Sequence, residues 1–295
     1  MFSIFSQLMP IKSFIAKICV SILFIIGIWL FASFTKKEIV WVAIGDSITY
    51  LNDHPDETGN RVTKGYLSDV VAELPNLHYI NQGHNGWKSS DIAGKIGQLG
   101  LVKADIYTIF LGTNDWWGGR PVGSIDDYKN NTGTGSLFGS FRIIIDKIRQ
   151  LNPEAKIILI TPMQRSDFVY LFKATNNAYG SYKTKNGQSL EAFANAVITI
   201  GKTENIPVVD LYHDERLNLK HLVNFKRLKN PHTGEYKNYH YPKFTQIPFD
   251  PEKDEYPYPP DAVNVTYDGL HPSDKGNEII AEKLIKTLKQ VGVAE

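Results

Sequence analysis

The strongest constraint on the fold is a repeated pairing of a short, unbroken apolar run with a stretch of helical periodicity. Residues 39–47 read IVWVAIGDS, and an apolar run without polar alternation is that of a strand buried on both faces, as in a parallel sheet. Comparable runs follow at residues 77–81, 104–112, 155–162 and 206–212. Helices are predicted between them, near residues 64–73, 89–97, 136–150 and 189–205. A last helix, over residues 273–291, would carry Ile280, Leu284, Thr287 and Leu288 on one face. The alternation predicts an α/β domain with a central five-stranded parallel sheet, helices on both faces, and a ligand site at the carboxyl ends of the strands.

With 295 residues, 42% of them hydrophobic, the chain can bury such a core. No internal repeat or shift of composition marks a second globular domain, so residues 38–295 are expected to form one domain. Residues 214–267 break the pattern. They show neither helical nor strand periodicity, and six prolines between Pro242 and Pro260 stand among Tyr and Phe. So long an irregular connection is either a packed surface loop or a lid over a substrate.

Ahead of the domain, residues 18–34 (ICVSILFIIGIWLFASF) carry no charge and are flanked by Lys12, Lys17, Lys36 and Lys37. The length lies between a signal-peptide apolar core and a spanning helix. Residues 1–37 are thus expected to be an uncleaved signal anchor or a signal peptide, forming a hydrophobic helix. Ala32 and Ser33 between two phenylalanines fit a cleavage site poorly, which favours the anchor. The expectation is a protein held at a membrane facing outside the cytoplasm, or secreted if the segment is cut. Lys plus Arg (32) balances Asp plus Glu (31), so no positive field points to nucleic acid. A lone cysteine, Cys19, excludes a disulfide framework and a cysteine metal knuckle.

Four polar motifs fall where strand ends would converge. They are Gly45-Asp46-Ser47, Asn81 through Gly86, Gly112-Thr113-Asn114-Asp115 and Asp268-Gly269-Leu270-His271. A serine nucleophile needs a base, a group to orient that base, and donors for the oxyanion. Ser47 is the candidate nucleophile and His271 the candidate base. Asp268, three positions earlier around a glycine turn, can reach the other ring nitrogen. The backbone N–H groups of Ser47 and Gly86 and the side-chain amide of Asn114 could surround one oxygen. Asp115 is expected to brace its loop. His54, His78, His213, His221, His232 and His240 have no metal-ligand spacing, so neither a metal nor another cofactor is expected. Nor is the second motif a dinucleotide fingerprint, because Asn81 stands where its first glycine would be.

Together these blocks resemble the SGNH, or GDSL-type, hydrolases, named for Ser, Gly, Asn and His in four sequence blocks. The resemblance spans residues 39–291 apart from the irregular insertion. It implies a three-layer α/β/α, flavodoxin-like fold and ester hydrolysis through an acyl-enzyme. By position, Ser47 corresponds to the nucleophile, Gly86 and Asn114 to oxyanion donors, and Asp268 and His271 to the remaining catalytic pair.

Substrate signals are the aromatic residues Trp87, Trp116 and Trp117, close to Gly86 and Asn114, which predict an aromatic mouth, and His84, a turn histidine that could touch substrate or be structural. Loops such as NDHPDETGN and WWGGRPVG are polar and Gly-rich. The expected substrate is therefore a short acyl ester, such as O-acetyl, on a carbohydrate or cell-envelope glycan. The alternatives are a lysophospholipase or other lipid esterase, an acyltransferase, and a catalytically silent glycan-binding module.

Overall fold

The structure, a computed structural model, describes residues 38–293; the apolar segment 18–34 lies outside them. Strand β1 (Ile39–Gly45) is followed by a single helical turn, α1 (Ser47–Tyr50), then α2 (Tyr66–Glu73), β2 (Leu77–Gly83), α3 (Ser89–Lys95) and β3 (Ile106–Phe110). Next come α4 (Thr113–Trp117), α5 (Ile125–Lys129), α6 (Leu137–Leu151) and β4 (Lys156–Ile160). Two short strands, β5 (Phe168–Val169) and β6 (Asn177–Ala178), precede α7 (Leu190–Glu204) and β7 (Val208–Val209). A hairpin of β8 (Lys226–Lys229) and β9 (Tyr236–Tyr239) leads to the final helix, α8 (Asp274–Gln290).

The central sheet has the order β2-β1-β3-β4-β7, all parallel. That is the five-stranded sheet anticipated, with its predicted helices in place. Because side chains alternate along a strand, β1 divides its residues between two cores. Val42 and Ile44 meet Tyr107, Ile109 and Leu159 under α3, α6 and α7. Trp41 and Ala43 face Ile158, Ile160 and the buried stripes of α2 and α8. Three of the long helices start from serine caps: Ser136, Ser189 and Ser273 accept the N–H groups of Gly139, Ala192 and Gly276.

The insertion is more ordered than its sequence pattern suggests. Residues 226–229 pair antiparallel with 236–239, although Lys-Arg-Leu-Lys has the composition of a solvated loop. Two interactions make this strand. Leu228 enters a small satellite core with Val169, Phe225, Phe244 and Tyr258, and the Lys226 ammonium is buried against the Asp167 carboxylate at 2.7 Å. The Tyr258 hydroxyl donates to the carbonyl of Asp167, and Arg61 donates to the carbonyl of Tyr258 at 2.6 Å. These contacts fasten the insertion to the carboxyl end of the sheet as packed structure. Among the described residues no helix is long and apolar enough to cross a membrane.

Candidate active site

Ser47 is placed by the end of β1. Asp46 leaves the strand and caps α1, its Oδ1 accepting the Ile48 N–H at 3.0 Å. Ser47 is then the first residue of the helical turn, where an N–H has no intrahelical acceptor. Its Oγ lies 2.9 Å from Nε2 of His271, a residue 224 positions away in the chain.

His271 is held by the turn that precedes α8. Gly269 adopts φ +89°, and a Cβ there would fall 2.1 Å from the carbonyl oxygen of Asp167, so only glycine fits. The turn folds Asp268 back under the imidazole. Its Oδ1 accepts the N–H groups of Leu270 and His271 at 3.0 and 2.8 Å, and its Oδ2 lies 2.7 Å from His271 Nδ1. A carboxylate only accepts, so Nδ1 carries the proton and Nε2 is left to accept from Ser47. Both residues are nearly enclosed, Asp268 at 1% and His271 at 8% exposure. Tyr267 stacks on the imidazole and Phe168 meets it edge-on, so packing fixes the ring as well as hydrogen bonding does.

Gly86 and Asn114 arrive from the ends of β2 and β3. Gly86 sits at φ +74° with nothing near its α-carbon on the side a Cβ would occupy. Among the described residues, neither the Gly86 nor the Ser47 N–H has a hydrogen-bond partner. Asn114 donates through Nδ2 to the Trp87 carbonyl at 3.1 Å and more weakly to Asp46 Oδ2 at 3.4 Å, which orients its amide. Asp115 turns away and accepts from the Ser89 N–H and hydroxyl, the latter at 2.5 Å. It ties this loop to the start of α3, the brace its position suggested.

Burial pushes the Asp46 carboxyl up to about 6, although the Ile48 N–H and the charge of His271 pull it down. Burial likewise raises Asp115.

Ser47, Gly86, Asn114 and His271 line one cavity of about 330 Å³, shared with Trp117 and Phe168. The aromatic mouth is narrower than expected. Trp116, at 0% exposure, is a core residue of α4 whose indole N–H donates to the Gln188 carbonyl; Trp117, one position on, is turned about 100° further round the short helix. Trp87 and His84 stack on each other with centroids 4.2 Å apart, and neither lines the cavity. Of these four residues, only Trp117 faces it.

Arg165, Phe168 and Tyr267, absent from the sequence expectations, also line the cavity. A signal exists for the first two: Gln164-Arg165-Ser166-Asp167-Phe168 is a polar stretch that follows the carboxyl end of the interior strand β4. Arg165 is 1% exposed, and burial lowers its guanidinium to about 10.

A model of the GDSL-like Lipase/Acylhydrolase family matches residues 43–279. Among solved structures, one described as a possible lipase from Chitinophaga pinensis DSM 2588 is 68% identical with a TM-score of 0.86, covering 87% of this chain and 100% of that one. A protein from Lactobacillus plantarum is 17% identical with a TM-score of 0.56, covering 86% of this chain and 98% of that one, a likeness of fold. No curated protein matches.

Proposed function

The chain belongs to the GDSL-like lipase/acylhydrolase family and is an SGNH-type hydrolase, and from that premise we propose a serine esterase that works through a Ser47 acyl-enzyme on short acyl esters of carbohydrate. The observation that carries this reading is the unbroken relay of Ser47 Oγ to His271 Nε2 at 2.9 Å and His271 Nδ1 to Asp268 at 2.7 Å, opening on a cavity of about 330 Å³.

In this mechanism His271 takes the Ser47 proton as Oγ attacks the ester carbonyl, and Asp268 stabilises the imidazolium. The Ser47 and Gly86 N–H groups and the Asn114 amide receive the oxyanion. Such donors act most strongly where charge develops in a water-poor site. His271 then protonates the departing alcohol, leaving the acyl group on Ser47. It next deprotonates a water that attacks the acyl-enzyme, and Ser47 recovers its proton as the acid leaves. The cycle runs on this chain's own groups.

One feature favours a hydrophilic alcohol. The cavity walls interleave Asn85, Asn176 and Asn177 with Trp117 and Phe168, giving amide donors and acceptors beside aromatic faces, the combination that suits a sugar ring. In this reading residues 1–37, with the apolar segment 18–34, tether residues 38–295 to the outer side of a membrane; protease accessibility in intact cells tests that topology.

The test of function uses the chain from residue 38. Hydrolysis of p-nitrophenyl acetate should exceed that of the octanoate, should vanish in Ser47→Ala, and should be matched by acetate release from acetylated oligosaccharides. A preference for the long chain would select the lipid-esterase alternative. Product formed only with an added alcohol acceptor would select a transferase.

A further inference from the structure

Arg165 is the least satisfied charged group in the described domain. It lines the catalytic cavity, is 1% exposed, and its Nε and Nη2 are buried without a hydrogen-bond partner. An ion enclosed in this way is costly unless an acceptor meets it, and buried donors of this kind call for an explanation.

The carboxylates around it do not supply that acceptor. Asp167 is committed to the Lys226 ammonium at 2.7 Å, the Tyr182 hydroxyl at 2.6 Å and the Gly180 N–H at 2.7 Å. Asp268 is committed to His271 and to two backbone N–H groups. Both influence Arg165 through space, but neither hydrogen-bonds to it. The Trp116 and Trp117 rings lie 5.5 and 5.4 Å from its guanidinium carbon. A ring attracts the cation without accepting its N–H groups in the way a carboxylate does. Glu57, the one acid among the residues that line this cavity, accepts from the Tyr50 hydroxyl at 2.8 Å.

A second cavity, of about 390 Å³, adjoins the first and shares Trp117, Phe168, Asn177 and Ala178 with it. Its rim adds Lys183, and Lys185 sits over Trp117 at 4.4 Å. The two cavities thus share a wall holding Trp117 and Phe168, with Lys183 and Lys185 beside it.

We infer that the substrate is an acidic carbohydrate ester whose carboxylate, on the alcohol portion, is received by Arg165 while the adjoining ring rests against Trp117. The inference rests on the esterase reading and deepens it. Charge carries the contact: a hydrogen bond from a guanidinium to a carboxylate is stronger than one to a neutral acceptor. Exclusion of water from this corner makes the contact discriminating, because a neutral analogue leaves the cation unmet.

The test compares the O-acetylated methyl glycoside of a hexuronic acid with its carboxamide, which has the same shape and no charge. The acid should be preferred by about 10- to 100-fold in kcat/KM, the range of a hydrogen bond to a charged group. In Arg165→Gln the ratio should fall to near one, and Arg165→Lys should retain part of it. Because both substrates are read on one sample, a smaller folded fraction cancels. If Arg165→Gln does not fold, the wild-type protein still decides: free glucuronate should inhibit p-nitrophenyl acetate hydrolysis at least tenfold more strongly than glucose. Binding of the acidic ester to Ser47→Ala by calorimetry, stronger than that of the carboxamide, gives the same answer without turnover. A wild-type ratio near one, or a ratio unchanged in Arg165→Gln, overturns the inference and leaves the esterase standing. Acetate hydrolysis that persists in Ser47→Ala would instead overturn the esterase reading.

Discussion

Replacing Asp46 with Asn isolates what the chain gives up by burying an acid beside Ser47. Asp46 is 2% exposed, and its carboxyl is raised from 3.8 to about 6. A carboxyl that holds its proton more tightly folded than unfolded adds stability below the unfolded value, and that stability is lost as the pH rises through the folded one. The difference of roughly two pKa units corresponds to about 3 kcal/mol at 1.36 kcal/mol per unit, lost mainly between about pH 4 and 6 and absent above that. Asn removes the titration but keeps an oxygen that can accept the Ile48 N–H, so the cap on α1 survives. Unfolding in urea at pH 4, 5, 6, 7 and 8 would give the stability of each protein. Asp46→Asn minus wild type should rise by about 2–3 kcal/mol from pH 4 to pH 8, with equal denaturant slopes. All other titrating groups cancel in that difference. The variant should also lose turnover severalfold, because an Asn amide facing the Asn114 amide replaces an acceptor with a donor. A stability difference that is flat with pH, or that falls, would refute the reasoning.

Other outcomes follow from the same geometry. Asn114→Ala should lower kcat by about 10²- to 10³-fold with a smaller change in KM, the pattern of a donor that serves the oxyanion; equal loss of kcat and thermal stability would mean a structural role. Asp268→Asn should leave the domain folded but reduce kcat by about 10⁴-fold, since an amide oriented by the same backbone N–H groups favours the wrong imidazole tautomer. Circular dichroism and steady-state kinetics separate the two effects, and a loss under tenfold would remove Asp268 from its role. Trp116→Ala should cost about 3–5 kcal/mol of stability, as expected for a large side chain removed from a core, whereas Trp117→Ala should mainly weaken hydrolysis of the sugar ester. Thermal unfolding alongside KM for p-nitrophenyl acetate and the glycan ester would expose a reversal.

The four polar motifs were legible because each is short and each follows an apolar run whose direction is fixed by the sheet. Once β1, β2 and β3 are parallel neighbours, Ser47, Gly86 and Asn114 must emerge at one edge. Asp268 and His271 form their pair through a three-residue turn, and that spacing is readable from sequence. Lys226 was not legible as a strand residue, because a cationic tetrapeptide has no strand pattern until Asp167 and the satellite core receive it. Trp116 and Trp117 are adjacent and chemically alike, so their sequence offers no reason to assign one to the core and the other to the cavity.

By itself, then, the sequence determined the layering of the domain, the order of its elements and the residue types at the strand ends, because burial periodicity and turn chemistry act over a few residues. Tertiary structure decided which side chains meet. It brings Ser47 to His271 across 224 positions, separates Trp116 from Trp117 by the rotation of one short helix, and encloses Arg165 where the acids around it are already occupied. Those outcomes depend on distances between segments remote in the chain. Packing and electrostatics set such distances, and local periodicity carries no information about them.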